Sequence, residues 1–237
     1  MLPEVGACGV CAALASSVWV PRPMLFEIGL GPWPVWRCAG DDVALTFDDG
    51  PDPRYTPLLL DTLAECRIPA TFFVSTSLAR QHPDLVRRAR REGHDVGSHG
   101  MSHTPLAFRR PGLLEREVGD AVRGLEDVLG EPVSWFRPPY GVRSPGLYRK
   151  LRREGLRPVF WSVMAYDWNE PTSRVVTRRV MRRVRPGAIV LLHDGGGNRS
   201  ATVEAVPPVV EALQQRGLRC ARLGAPAGAR TSARDQA

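Results

Sequence analysis

Between residues 43 and 223, short apolar runs alternate with longer amphipathic ones about seven times, and nothing else restricts the fold as much. Strand-length runs fall at 43–47, 70–75, 94–99, 133–137, 158–163, 188–192 and 218–223. Helix-length stretches at 55–66, 82–92, 112–129, 144–154, 173–185 and 201–216 separate them. A helix between two strands returns the chain to the same end of the sheet, so successive strands run parallel. The expected class is α/β. Seven or so such units suit a distorted (β/α) barrel of about seven parallel strands better than an open sheet.

The 237 residues suit one large catalytic-size domain, expected over 43–223, and 43% hydrophobic content supplies its core. Net charge is +7, and Lys150 is the only lysine, so the positive charge is almost all arginine. The arginines recur at helical spacing, as at Arg87, Arg88, Arg90 and Arg91, which reads as solvated helix faces. No aromatic residues interleave with them, so no nucleic-acid partner is expected. Cys8-Gly-Val-Cys11 has the CxxC form, but no second pair follows at zinc-site spacing, and buried or membrane-facing thiols are expected there.

Residues 1–42 form an apolar, then Pro- and Trp-rich lead-in. The uncharged run 5–20 is shorter than the ~20 residues of a spanning helix, and no basic residue precedes it. It admits three readings: remnant of a membrane anchor, truncated export signal, or apolar helix packed on the domain. Residues 224–237 are Ala-, Gly-, Arg- and Ser-rich, and disorder is expected there.

The residues with chemistry collect at the ends of the expected strands. The run Val43–Phe47 ends in Asp48-Asp49-Gly50-Pro51. Neighbouring residues at a strand end point to opposite sides, so the two carboxylates can do different work. His99 and His103 are four apart beside Gly97 and Gly100, in a loop or an incipient helix able to aim both rings one way. Two histidines and a carboxylate make a metal site that leaves positions open for water and substrate. Phe136-Arg137-Pro138-Pro139-Tyr140-Gly141 is a stiff turn whose arginine can pair with the spare aspartate. His193 ends the strand at 188–192 and titrates where a general acid is needed. Asp167-Trp168 follows the strand at 158–163.

Together, Thr46-Phe-Asp-Asp-Gly50, His99-x-x-x-His103, Arg137-Pro-Pro-Tyr140, Asp167-Trp168 and Leu191-x-His193 resemble the five motifs of the NodB-type polysaccharide deacetylases, carbohydrate esterase family 4. The resemblance covers residues 43–222 in order and spacing. It implies one divalent ion, zinc first with cobalt or nickel as substitutes, held by Asp49, His99 and His103. It implies Asp48 as general base, Arg137 holding it ionised, and the Tyr140 N–H at the oxyanion. His193 would be the general acid with Asp167 as its partner, and Trp168 and Leu191 would shape the acetyl pocket. The implied reaction is de-N-acetylation of a carbohydrate such as peptidoglycan or a chitin-like oligosaccharide. The cell envelope or the outside of the cell is the expected location, and under the anchor reading of run 5–20 the N-terminus would associate with a membrane.

Two positions depart from the motifs. Gly100 stands where Ser or Thr is usual, and Met164 where an Asp precedes the Asp-Trp pair by three. Both put the bracing around the site in question. Two rivals remain: the same scaffold acting on a non-sugar amide or O-acetyl ester, and a non-catalytic glycan-binding domain. The intact Asp48, Asp49, His99, His103, Arg137 and His193 speak against the second. Loops at 51–56, 104–112 and 194–200 are expected to wall the substrate groove.

Overall fold

The computed structural model describes residues 33–169 and 172–224. Cys8, Cys11, the run 5–20 and the tail from 225 onward lie outside the described residues. Among the described residues, no helix is long and apolar enough to cross a membrane, and Cys38, Cys66 and Cys220 are free thiols.

Seven strands form a single sheet in the order β5-β4-β3-β2-β1-β7-β6, and every pairing is parallel. Strand β1 (Ala44–Asp48) is buried along its whole length, which is why its sequence is apolar rather than alternating. It lies between β2 (Thr71–Val74) and β7 (Ile189–His193). Its register sets Asp48 beside His193, so two of the chemistry-bearing residues finish at one level. Strand β3 (Asp95–Ser98) extends the sheet to β4 (Trp135–Phe136), pairing Ser98 with Phe136. His99 and Arg137 therefore leave neighbouring strands side by side.

The helices cover the outer face. In α1 (Tyr55–Cys66), Leu59, Leu60 and Leu63 are fully buried, each contributing ~1.5–3 kcal/mol of apolar burial. Helix α2 (Thr76–Gln81) is short and absent from the sequence expectation. In α3 (Pro83–Arg91), Val86 and Ala89 face inward while most of its arginines face water. The expected helix over 112–129 is three pieces in line: α4 (Pro111–Leu114), a π-helical stretch (Glu115–Asp120) and α5 (Ala121–Leu129). Ser144 caps α6 (Pro145–Arg153) by accepting from the Leu147 N–H at 3.2 Å, with Pro145 at the first helical position. Helices α7 (Ser173–Arg183) and α8 (Ser200–Gln215) pack on each other.

Two expectations are corrected. The single strand at 158–163 is two: β5 (Arg157–Pro158) and β6 (Val163–Met164), on opposite edges of the sheet. The chain crosses from edge to edge in a few residues, so the sheet must curl round on itself into a barrel with one unpaired seam. Lead-in residue Val35 bridges to Val159 in that seam. The run 218–223 is not a strand either; it makes one parallel bridge, Cys220 to Val43. Leu223 and Gly224 are held by Thr71 and Asp95 instead of by a continued ladder.

Candidate active site

A cleft of about 260 Å³ opens at the C-terminal ends of the strands and is lined by Asp48, Asp49, His99, His103, Tyr140, Trp168, Leu191 and His193. Asp167 and Arg137 stand behind this lining, so all ten expected site residues converge on one place.

On one wall are Asp49, His99 and His103. Asp49 Oδ1 lies 3.4 Å from His99 Nε2 and 3.0 Å from His103 Nε2. His99 Nδ1 is 2.7 Å from the Arg137 carbonyl oxygen. A carbonyl can only accept, so Nδ1 carries a proton and the ring turns its Nε2 toward Asp49. Asp49 Oδ1 is buried, and these two rings are its polar neighbours there; burial opposes its ionisation, but they outweigh it and hold its carboxyl well below the usual carboxylate range. The donor set, two imidazoles and one carboxylate within 4.8 Å of one another, fits a divalent metal ion. The wall is also strained: Asp49 (φ 71°) and His103 (φ 55°) are left-handed. The two histidines come from a loop, not from one helical turn.

The second wall is fully hydrogen-bonded. Arg137 is wholly buried, and its Nη1 donates to Asp48 Oδ1 and to Thr46 Oγ1, both at 2.7 Å. Nη2 reaches the Phe160 carbonyl at 3.1 Å and Nε the Val159 carbonyl at 3.4 Å. The guanidinium also stacks 4.1 Å from the Phe73 ring. Burial lowers the Arg137 pKa, and the Asp48 carboxylate opposes that. Met164 lines the cleft, and the cation is satisfied without a carboxylate at that position.

Opposite it, Asp167 accepts three hydrogen bonds, two of them from His193: Oδ1 takes the ring Nδ1–H at 2.9 Å, and Oδ2 takes the His193 backbone N–H at 2.9 Å and the Thr202 hydroxyl at 2.8 Å. This leaves His193 Nε2 for the cleft. Burial works against a charged imidazole, but Asp167, then Asp48 and Asp49, outweigh it and raise the His193 pKa above its ordinary value. Asp167 shifts the other way: burial opposes its ionisation, and His193 overcomes this. The Trp168 ring stands edge-on to His193 at 5.1 Å.

Tyr140, left-handed at φ 59°, sits on a 3₁₀ turn (Pro139–Gly141) in which the Gly141 and Val142 N–H groups donate to the Pro138 and Pro139 carbonyls. Its half-exposed ring packs 4.5 Å from His103.

Sequence reasoning missed several contributors. Of the three loops expected to wall the groove, only 194–200 lines this cleft, through Gly196 and Arg199. A side chain at Gly195 would strike the Asp49 carbonyl, so glycine is required for that close approach. Buried Arg199 ties the loop by donating to the carbonyls of Gly195 (2.6 Å) and Gly196 (2.8 Å). Asp194, buried near Asp48 and Asp49, is pushed up to about 7 by burial, against its bond from Thr56. The signal for all four was their place directly after His193.

Fold and site together define a (β/α)-barrel protein with an acid–base cleft at the mouth of its strands. A family model described as polysaccharide deacetylase matches residues 38–159. A chitooligosaccharide deacetylase of Sinorhizobium fredii is 40% identical over 186 residues, spanning 74% of this chain and 86% of its own. A peptidoglycan-N-acetylglucosamine deacetylase of Bacillus cereus is 36% identical over 179 residues, spanning 75% and 84%. A solved peptidoglycan N-acetylglucosamine deacetylase, in complex with 4-naphthalen-1-yl-N-oxidanyl-benzamide, aligns with a TM-score of 0.79 at 29% identity, covering 89% of this chain and 99% of that one. The chain belongs to the polysaccharide deacetylase family, the NodB-type members of carbohydrate esterase family 4.

Proposed function

We propose that this protein is a metal-dependent hydrolase that removes acetyl from the amide nitrogen of an N-acetylated glycan, a chitin-like oligosaccharide or peptidoglycan. The observation that carries this reading is one cleft holding a metal-donor triad with a paired base and a paired acid. The names of the curated relatives support the glycan, and the reading brings with it a place in the cell envelope or outside the cell.

Asp49, His99 and His103 would hold the ion, zinc first, which when bound polarises the acetyl carbonyl and makes water more acidic. Asp48, paired with Arg137, accepts a proton from the attacking water as its oxygen bonds to the acetyl carbon. The carbonyl oxygen gains negative charge as this bond forms, and the Tyr140 N–H is a fixed donor for it. His193 Nε2 then gives its proton to the glycan nitrogen as the C–N bond breaks, releasing acetate and a free amine. Asp167 fixes the tautomer that this transfer requires. Trp168 and Leu191 supply the apolar surface for the methyl group.

The test is acetate release from N-acetylglucosamine oligomers and from peptidoglycan, by protein stripped with chelator and then resupplied with zinc. Release is expected only with zinc, and Asp48→Asn is expected to slow it by about 10²–10⁴-fold. Zinc binding without release from either glycan would overturn the glycan reading.

A further inference from the structure

Glu117 is fully buried on the π-helical stretch, outside the lining of the cleft. A π turn holds an extra residue and redirects the side chains it carries, and such turns gather near functional sites. Here it aims a carboxylate at the loop that bears both histidines. Glu117 Oε2 accepts from the Met101 N–H at 3.1 Å and the Ser102 N–H at 3.0 Å. Oε1 accepts from the Ser102 hydroxyl at 2.8 Å and Arg116 Nη2 at 3.2 Å.

The other side of the same loop is held by α2. The Thr76 N–H donates to the Gly100 carbonyl at 3.0 Å, and the Ser77 N–H and Ser75 hydroxyl donate to the Met101 carbonyl at 3.1 and 3.0 Å. The peptides between His99 and His103 are thus gripped from both sides, amides by Glu117 and carbonyls by α2. Such a grip has work to do, because His103 is left-handed and would relax if released. Gly100 completes the arrangement: at φ +88° it lets the loop pass close to the Glu117 carbonyl, where a Cβ would sit at 3.3 Å. The bracing that a hydroxyl at position 100 would have given comes instead from a carboxylate on the next helix.

We propose that Glu117 is a positioning residue that fixes His103 opposite Asp49 and thereby sets the affinity of the site for a divalent metal ion. The inference rests on the metal-dependent reading above. A partner carboxylate one step removed from a ligand typically governs about 10- to 100-fold in metal affinity.

The test titrates zinc against a chromophoric chelator in the metal-stripped full chain. Wild type is compared with Glu117→Ala, Glu117→Gln and Val128→Ala, the last a core truncation on α5 away from the loop. Melting temperatures of the metal-free proteins are recorded alongside. Glu117→Ala is expected to bind zinc about 10- to 100-fold more weakly. Glu117→Gln should fall between it and wild type, because one acceptor oxygen must serve where two did. Val128→Ala should melt earlier and bind zinc as wild type does. Wild-type zinc affinity in Glu117→Ala overturns the proposal. Should that variant fail to fold, wild-type affinity in Glu117→Gln overturns it. An equal loss in Val128→Ala also overturns it, since any destabilisation would then suffice. Wild-type protein that binds no zinc defeats the metal reading too, whereas zinc bound equally by all variants defeats only the role of Glu117.

Discussion

The two walls of the cleft are built on opposite terms. Around Arg137–Asp48 and Asp167–His193, each charged group meets a partner within about hydrogen-bond distance, and the chain alone completes the arrangement. Around Asp49, His99 and His103, three metal-donor atoms converge on one point, and both Asp49 and His103 hold left-handed backbone to do so. The first wall is finished at folding, which suits the proton transfers proposed for it, where fixed geometry and tuned pKa matter. The second gathers donors for something added, which is how a protein stores affinity for a ligand. Converging donor atoms thus mark the proposed binding half of the site, and fully paired groups the catalytic half.

The sharpest way to break this contrast is to change one residue on each wall. Asp49→Asn should abolish zinc binding, read by calorimetry, while the metal-free protein still folds. Asp48→Asn should retain zinc and lower kcat by about 10²–10⁴-fold, the scale of a lost general base. Arg137→Gln strikes the finished wall where it is most buried. It leaves Asp48 as an unpaired buried charge and should cost about 3–5 kcal/mol in denaturant unfolding.

Asp167→Asn tests the sign of the electrostatics. The aspartate raises the His193 pKa by favouring the imidazolium, so its neutral replacement must lower it. A general acid works only while protonated. The alkaline limb of the kcat/KM profile, which falls as pH rises through that pKa, should therefore move to lower pH. An unmoved limb would remove His193 from the role of acid. The smallest effect is expected from Thr46→Val, which keeps the shape but removes the acceptor of one Arg137 N–H. Leaving that donor unpaired should cost about 1–3 kcal/mol in urea unfolding, with zinc affinity unchanged.

Much of this was legible in the sequence because a strand end is a sharp event. Val43–Phe47 is apolar and the next two residues are charged, so both the strand and its chemistry announce themselves. The seam was not legible. Pro158-Val-Phe-Trp-Ser-Val163 is apolar nearly throughout, and apolar character reports burial, not which neighbour a backbone bonds to. The run 218–223 misled for the same reason. Glu117 was hidden by its company: Glu115-Arg116-Glu117 reads as a solvated helix face, and only the extra residue in the π turn brings its third member inside. Arg199 was hidden by the kind of partner it has, because backbone carbonyls three and four residues back carry no mark in the sequence.

The unclosed seam has a consequence for the charge at the centre of the barrel. In a fully paired barrel, strand carbonyls are spent on neighbouring strands and the interior offers a cation nothing but side chains. Where β5 stops and β6 has not begun, the carbonyls of Val159 and Phe160 turn inward and bind the Arg137 guanidinium. The gap in the ladder acts as an internal solvent, peptide dipoles standing where water would be. A sequence that zipped this seam shut would satisfy those carbonyls with backbone N–H groups and evict the arginine, and with it the cation paired with Asp48.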